Sequence, residues 1–186
     1  MQQKIEQTLV TLQQGGLILY PTDTVWGIGC DATNEAAVQK VFQLKNRQES
    51  KALVCLVSSL QMLKQIVGEV PETILQILKN PSRPTTIIYE NPRGMAKNLI
   101  ASDNTLAIRI VKDEFCEQLI EKLGKPIVST SANISAEKTP QSFQEISREI
   151  LEGVDYIVNL HRQKQDGQTS TIIKLTHEGE MIVIRS

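Results

Sequence analysis

Apolar residues at positions 5, 9 and 12 recur at helical spacing, so Ile5, Leu9 and Leu12 line one face of a helix that Gly15-Gly16 ends. "LILY" (17–20) follows as an uninterrupted apolar run, the pattern of a buried strand. From Asn34 to Leu44 the spacing returns to helical, with Ala37, Val38, Val41 and Phe42 on one face and Asn34 as N-cap. "ALVCLV" (52–57) predicts a strand, and residues 59–67 and 71–79 predict short helices, the second opened by Pro71. "PTTIIY" (84–89) and "TLAIRIV" (105–111) predict strands on either side of a polar, Gly-containing connection. Asp113 caps "EFCEQLIEKL", Gly124 closes it, and "PIVST" (126–130) is the next strand.

Ser142 and Glu145 have capping-box spacing and predict a helix to about Glu152. "YIVNL", "STIIKL" and "MIVIR" predict three closing strands, the last two joined by the turn "THEGE". Helices and strands alternate early and strands dominate late. The expectation is a single α/β domain over residues 1–186: a twisted, mixed, open sheet with flanking helices. "HRQKQDGQ" (161–168) is the best candidate for a mobile surface loop.

Composition narrows the function classes. A net charge of −1 argues against a nucleic-acid protein that works by bulk basicity, while leaving room for a local basic strip. With 4% aromatics, the core must be mostly Ile, Leu, Val and Ala. Cys30, Cys55 and Cys116 lie far apart and read as buried free thiols in a reducing compartment. The N-terminal stretch is amphipathic and has no signal-like apolar core, and no run approaches a membrane span. A cytoplasmic, soluble protein is expected.

The chain has no P-loop and no GxGxxG, and its two histidines, His161 and His177, lie in late polar segments. A His-based triad or metal site is not expected, and no protein metal site is assigned. Hydroxyls and cations at strand ends stand out instead. Thr22 and Thr24 follow the first strand, and Lys45, Arg47 and Lys51 follow the second helix. Thr105 and Arg109 share one face of a strand, since side chains alternate. Ser129, Ser131 and Asn133 stand at the end of the strand begun by Pro126, Thr169–Thr171 lead into a late strand, and Arg185 nearly ends the chain. "KNR" after a helix reads first as a solvated turn complementing the dipole, and second as a ligand set. Loop Ser and Thr usually satisfy local backbone groups. Arg109, inside an apolar strand, needs an anionic partner unless it faces solvent from an edge. Together these residues predict a site for a polyanionic, nucleotide-like ligand beyond the strand ends.

"YPTDTVWGIGCDA", "KNRQESKALV", "TLAIRIV", "STSAN" and "TSTIIKL" resemble, in order and over nearly the whole chain, the YrdC/TsaC family of threonylcarbamoyl-AMP synthases in its short form. The family's KxR…SxN signature stands here as Lys45-Asn46-Arg47 and Ser131-Ala132-Asn133. The resemblance implies a YrdC-like fold, related to the RibB type, with a positively lined concave face. It implies a nucleotidyltransferase that makes L-threonylcarbamoyl-AMP and pyrophosphate from L-threonine, bicarbonate and ATP. Mg²⁺ would arrive with ATP and not occupy a dedicated protein site. The product would serve threonylcarbamoylation of adenosine 37 in tRNAs reading codons that begin with A. Further partners would be a downstream threonylcarbamoyl-transferase complex and tRNA itself.

Carried over by position, Thr24, Arg109, Ser129 and Ser170 would bind threonine, with Gly27 and Gly29 letting the backbone approach the ligand. Arg47 and Lys51, with Lys45, would hold the triphosphate. Thr105, Ser131, Asn133, Thr139 and Arg185 would line the nucleotide side, and Lys45, Arg47, Ser131 and Asn133 would position and neutralise charge at the reacting centre. This chain departs from the family's pattern at Trp26, Ala52, Leu56, Arg83 and Ala136, and where "RS" stands for "RPG". Two rivals share the fold: an RNA- or tRNA-binding maturation factor using the same cleft without turnover, and a carbamoyl-transfer relative, which carries extra modules. Steep salt dependence of RNA binding would mark the first.

Overall fold

The first apolar stripe forms the helix Gln2–Gln13 (α1), with Ile5 and Leu12 fully buried. The structure, a computed structural model, describes residues 1–47, 53–79, 83–163, 169–175 and 181–185. The helices continue with Glu35–Leu44 (α2), Leu60–Val67 (α3), Glu72–Lys79 (α4), Glu114–Leu123 (α5) and Arg148–Gly153 (α6). Caps set their limits as the sequence predicts. The side chains of Asn34 and Asp113 accept from Ala37 N–H and Cys116 N–H, and Gly124 closes α5 in the left-handed region at φ 67°.

The strands are Ile18–Tyr20 (β1), Gly27–Gly29 (β2), Val54–Val57 (β3), Thr85–Glu90 (β4), Thr105–Ile110 (β5), Ile127–Ser131 (β6), Tyr156–Ile157 (β7), Thr171–Leu175 (β8) and Met181–Arg185 (β9). They form one sheet in the order β7-β1-β2-β6-β3-β5-β4-β8-β9. Parallel pairs (β1 with β7, β3 with β5, β4 with β8) are interspersed with antiparallel ones, so the expected mixed open sheet is present. Among the described residues no helix is long and apolar enough to cross a membrane.

Alternation along the central strands divides the core in two. Cys55 and Val57 of β3, Leu106 and Ile108 of β5 and Val128 of β6 point to a large cluster completed by Val38, Val41 and Phe42 of α2 and Leu63 and Ile66 of α3. Leu56 and Ile127, in register with each other, point the other way with Ile18 and Tyr20. That second cluster is covered by Ile5 and Leu12 of α1 and Phe115, Leu119 and Ile120 of α5. In the next same-face pair of the register, Val54 packs at the edge of this second cluster, and Val54 and Ser129 both line the cavity described below. Ala107 and Arg109 share that face by alternation.

β2 is absent from the pattern reading, which treats "GIG" as loop. Tyr20 explains Gly29: its ring lies across β2, so a Cβ on Gly29 would sit 2.7 Å from the ring and 2.8 Å from the Val128 carbonyl oxygen. Gly29 therefore clears space for Tyr20 and not for a ligand, which corrects the sequence expectation. The predicted helix from Ser142 is likewise corrected. Ser142 does bond Glu145, at 3.3 Å, but the segment closes only a 3-10 turn, Phe143–Glu145, and α6 starts later under a Ser147 cap. "YIVNL" contributes only the two residues of β7 to the sheet. The turn "THEGE" lies outside the described residues, as do residues 164–168 of the proposed mobile loop.

Gly29→Ala should lower stability by about 1–3 kcal/mol, the usual cost of overpacking, because one of the two close atoms is backbone. Urea unfolding should show a lower midpoint at unchanged m. An unshifted midpoint would mean that Tyr20 does not pack on β2 as described.

Candidate functional site

α1 and α5 cover only part of their sheet face, and a cavity of about 210 Å³ opens on the remainder. Three arginines line it: Arg47 after α2, Arg109 in β5 and Arg185 in β9. Thr24, Ser129, Ser131, Thr139 and Ser170 add hydroxyls, while Gly27, Val54 and Ile172 supply small or apolar wall. Of the twelve side chains carried over for threonine, ATP and the reacting centre, eight thus meet at one place.

Arg109 is 4% exposed and sits next to Leu56 in the β3–β5 register. The anionic partner that such burial demands is Asp23, whose Oδ1 accepts from Nη1 in a salt bridge. Nη2 donates to Thr24 Oγ1 at 3.3 Å, and Nε has no partner among the described residues. Asp23 was not singled out from the sequence. The available signal was one carboxylate in a loop of hydroxyls and one buried arginine needing a carboxylate, but joining them across 86 positions requires the fold.

The hydroxyls of the 21–26 loop divide their work. Thr22 Oγ1 donates to Val25 O at 2.8 Å and accepts from Thr24 N–H at 3.0 Å, so Thr22 satisfies local backbone. Thr24 Oγ1 lies 2.9 Å from Thr22 Oγ1; with Thr22's proton committed, Thr24 donates there and keeps lone pairs for Arg109.

The "KNR" turn is not the solvated turn of the simplest reading. Lys45 is 1% exposed, and its ammonium donates to the carbonyl oxygens of Ser131 and Asn133. Ser135 N–H returns a bond to Lys45 O at 2.9 Å. Lys45 therefore pins the loop after β6 to the end of α2 and does not line the cavity. Burial, and then neighbouring Arg47, pull its pKa from 10.5 to about 7, while the accepting carbonyls favour the charged form. Asn46 follows at φ 49°, and this left-handed step carries the chain to Arg47 at the cavity. Arg47 is half-buried, which lowers its pKa.

Asn133 is also committed within its own loop. Its amide donates to Ile134 O and Glu137 O at 3.0 and 2.8 Å, and its Oδ1 accepts from Ser131 Oγ. Like Lys45, it braces the site without facing it. Ala136 stands at φ 73°, a conformation that favours glycine by about 1 kcal/mol, so the departure from the family pattern leaves local strain here.

At the opposite wall, Arg185 donates from Nε and Nη2 to Ser170 O at 3.1 and 2.9 Å, and Ser170 Oγ pairs with Thr86 at 2.8 Å. Burial and the positive Arg109 lower the pKa of Arg185. Thr105 is buried at the other end of β5, donates to Asp103 at 2.6 Å and does not line the cavity. Lys51 and Ala52 lie outside the described residues. Trp26 packs in the larger core, 4.9 Å from Phe143 between ring centroids, Leu56 fills the smaller one, and Arg83 is exposed away from the cavity. Among the described residues no group of three or more His, Cys, Asp or Glu could hold a metal ion.

A family profile named Sua5_yciO_yrdC and described as "Telomere recombination" matches residues 10–186. The curated "Threonylcarbamoyl-AMP synthase" of Hahella chejuensis is 31% identical over 153 residues, 82% of this chain and 83% of that protein. The solved structure of Pyrococcus abyssi Sua5 complexed with L-threonine superposes with a TM-score of 0.85 at 26% identity, over all of this chain and 54% of the other. This chain thus spans about half the length of that archaeal protein. Escherichia coli YciO, at 24% identity and a TM-score of 0.86 over 90% of its chain, shares the fold.

The Lys45 brace has a pH signature. Its depressed pKa means that the folded state disfavours the charged amine, a cost fully present below about pH 7. As pH rises toward 10.5 the folded protein sheds the proton before the unfolded chain does, so stability rises. Against Lys45→Met, the unfolding free energy of the unmodified protein should improve between those limits, with a slope of at most about 1.4 kcal/mol per pH unit. Urea titrations from neutral to alkaline pH measure it; a difference that stays flat or falls would contradict the buried brace.

Proposed function

We propose that this chain, which belongs to the Sua5/YciO/YrdC family, synthesises L-threonylcarbamoyl-AMP and pyrophosphate from L-threonine, bicarbonate and ATP. The observation that carries the reading is the pairing, in one cavity, of an arginine fork among hydroxyls with two further arginines. Arg109, Thr24, Ser129 and Ser170 suit an amino-acid carboxylate and its polar neighbours. Arg47 and Arg185 suit the phosphates of ATP, with Ser131 and Thr139 beside them. Lys45 and Asn133 act behind these groups, holding the β6 loop in place. Lys51 and Thr105 remain assigned to ATP by resemblance alone.

The chemistry asks for little acid–base hardware. The deprotonated amine of threonine and bicarbonate form a carbamate and release water. A carbamate oxygen then attacks the α-phosphorus; the new P–O bond forms as the bond to the β-phosphate bridge breaks, and pyrophosphate leaves. Such a displacement depends on alignment and on neutralising charge, which fixed arginines provide. Mg²⁺ would arrive with ATP as part of the substrate and would supply charge neutralisation for the leaving pyrophosphate. The product is an activated carbamoyl donor for adenosine 37 of tRNA, passed to a separate transferase in the cytoplasm, where ATP and tRNA are at hand.

The test is pyrophosphate release by the purified protein with MgATP, adding threonine and bicarbonate singly and together, with the product mass determined. Release should require both and yield threonylcarbamoyl-AMP. Arg109→Lys keeps the charge and loses the fork. It should raise KM for threonine roughly 10- to 100-fold, the equivalent of about 1.5–3 kcal/mol for a charge-assisted bond, with little change in KM for ATP. Turnover with ATP alone, or an equal loss for both substrates, would contradict the assignment.

A further inference from the structure

A guanidinium can grip a carboxylate with its Nη1–Nη2 end or with its Nε–Nη2 side. In Arg109 the two edges have different surroundings. Asp23 Oδ1 takes Nη1, and Asp23 Oδ2 accepts from Lys112 N–H at 3.3 Å, so both oxygens of that carboxylate are anchored. Asp23 does not line the cavity that holds Thr24 and Ser129. It lines a separate one of about 190 Å³, walled by Leu78, Pro84 and Ile110, and so approaches Arg109 from behind. On the other edge, Nε is buried without a partner among the described residues, and Nη2 has only the 3.3 Å contact to Thr24. A buried donor in that state is a cost to the fold that a ligand oxygen removes.

Charge distinguishes Arg109 from Arg185 as well. Asp23 neutralises Arg109, whereas Arg185 donates to the carbonyl and hydroxyl of Ser170 and has no carboxylate partner among the described residues. A neutralised fork binds through the direction of its N–H groups more than through net charge. It therefore favours a single carboxylate over a triphosphate.

We propose that Asp23 is a positioning residue which, on the synthase reading above, turns the Nε–Nη2 edge of Arg109 toward the cavity to receive the threonine carboxylate. By cancelling the arginine's charge it also keeps phosphate groups from Arg109. Asp23 touches neither substrate.

Asp23→Ala and Asp23→Asn separate the two effects, the second preserving size should the first fail to fold. Calorimetric titration of each, and of Arg109→Lys as control, with L-threonine, ATP and inorganic pyrophosphate reads the site directly. Threonine affinity should fall about tenfold or more in both Asp23 variants while ATP affinity stays within about twofold. Pyrophosphate should begin to compete with threonine in Asp23→Asn, which a merely structural role would not produce. In the unmodified protein the Nε–H resonance of Arg109 should move when threonine is added. Unchanged threonine affinity in the Asp23 variants, equal losses for both ligands, or an unmoved Nε–H resonance would overturn the role of Asp23. A loss confined to Arg109→Lys would do so while leaving the synthase reading standing. Failure of the unmodified protein to bind threonine would overturn that reading and the positioning role together.

Discussion

A guanidinium buried in a β-sheet needs a carboxylate within reach, and much of this site follows from how that need is met. Arg109 lies on the sheet face where the helical cover of α1 and α5 gives way, and Asp23 reaches it from the loop between β1 and β2. Removing one partner of such a pair typically costs about 3–5 kcal/mol, because the other charge is left behind. The pair thus ties the first loop of the chain to the centre of the sheet. Thr24 is held beside the arginine as a consequence, and the cavity gains a fixed donor edge.

A second brace of the same kind sits across the cavity. Lys45 uses a buried ammonium to hold the carbonyls of Ser131, at the end of β6, and Asn133, in the loop after it, and both Ser131 and Arg47 line the cavity. In both cases a charged side chain inside the protein secures loop geometry, and its neighbour faces the cavity. The KxR…SxN pattern then has a structural reading in alternation: Lys45 and Asn133 hold, while Arg47 and Ser131 face the cavity.

Local signals carried much of the fold. Asn34 and Asp113 mark helix starts by the bonds their side chains accept, and Gly124 marks a helix end by its φ, all short-range effects that a sequence displays. β2 was hidden because Gly29 answers to the Tyr20 ring on a neighbouring strand, and glycine carries no strand signal of its own. The Ser142–Glu145 spacing was met by a bond that closes a single turn, since spacing alone does not say how far a helix propagates. At the site, cations and hydroxyls at strand ends were visible as residues. Which of them face the cavity was not, because Lys45, Asn133 and Thr105 differ from Arg47, Ser131 and Arg109 only in contacts made through tertiary structure.

The most direct test of the account is a crystal structure of the protein with L-threonine and a non-reacting ATP analogue bound together. The account predicts the threonine carboxylate on Arg109 beside Thr24 and Ser129, and the phosphates between Arg47 and Arg185, with Asp23 still behind the arginine. Phosphate oxygens on Arg109, or threonine bound away from it, would contradict the division of the cavity on which the function rests.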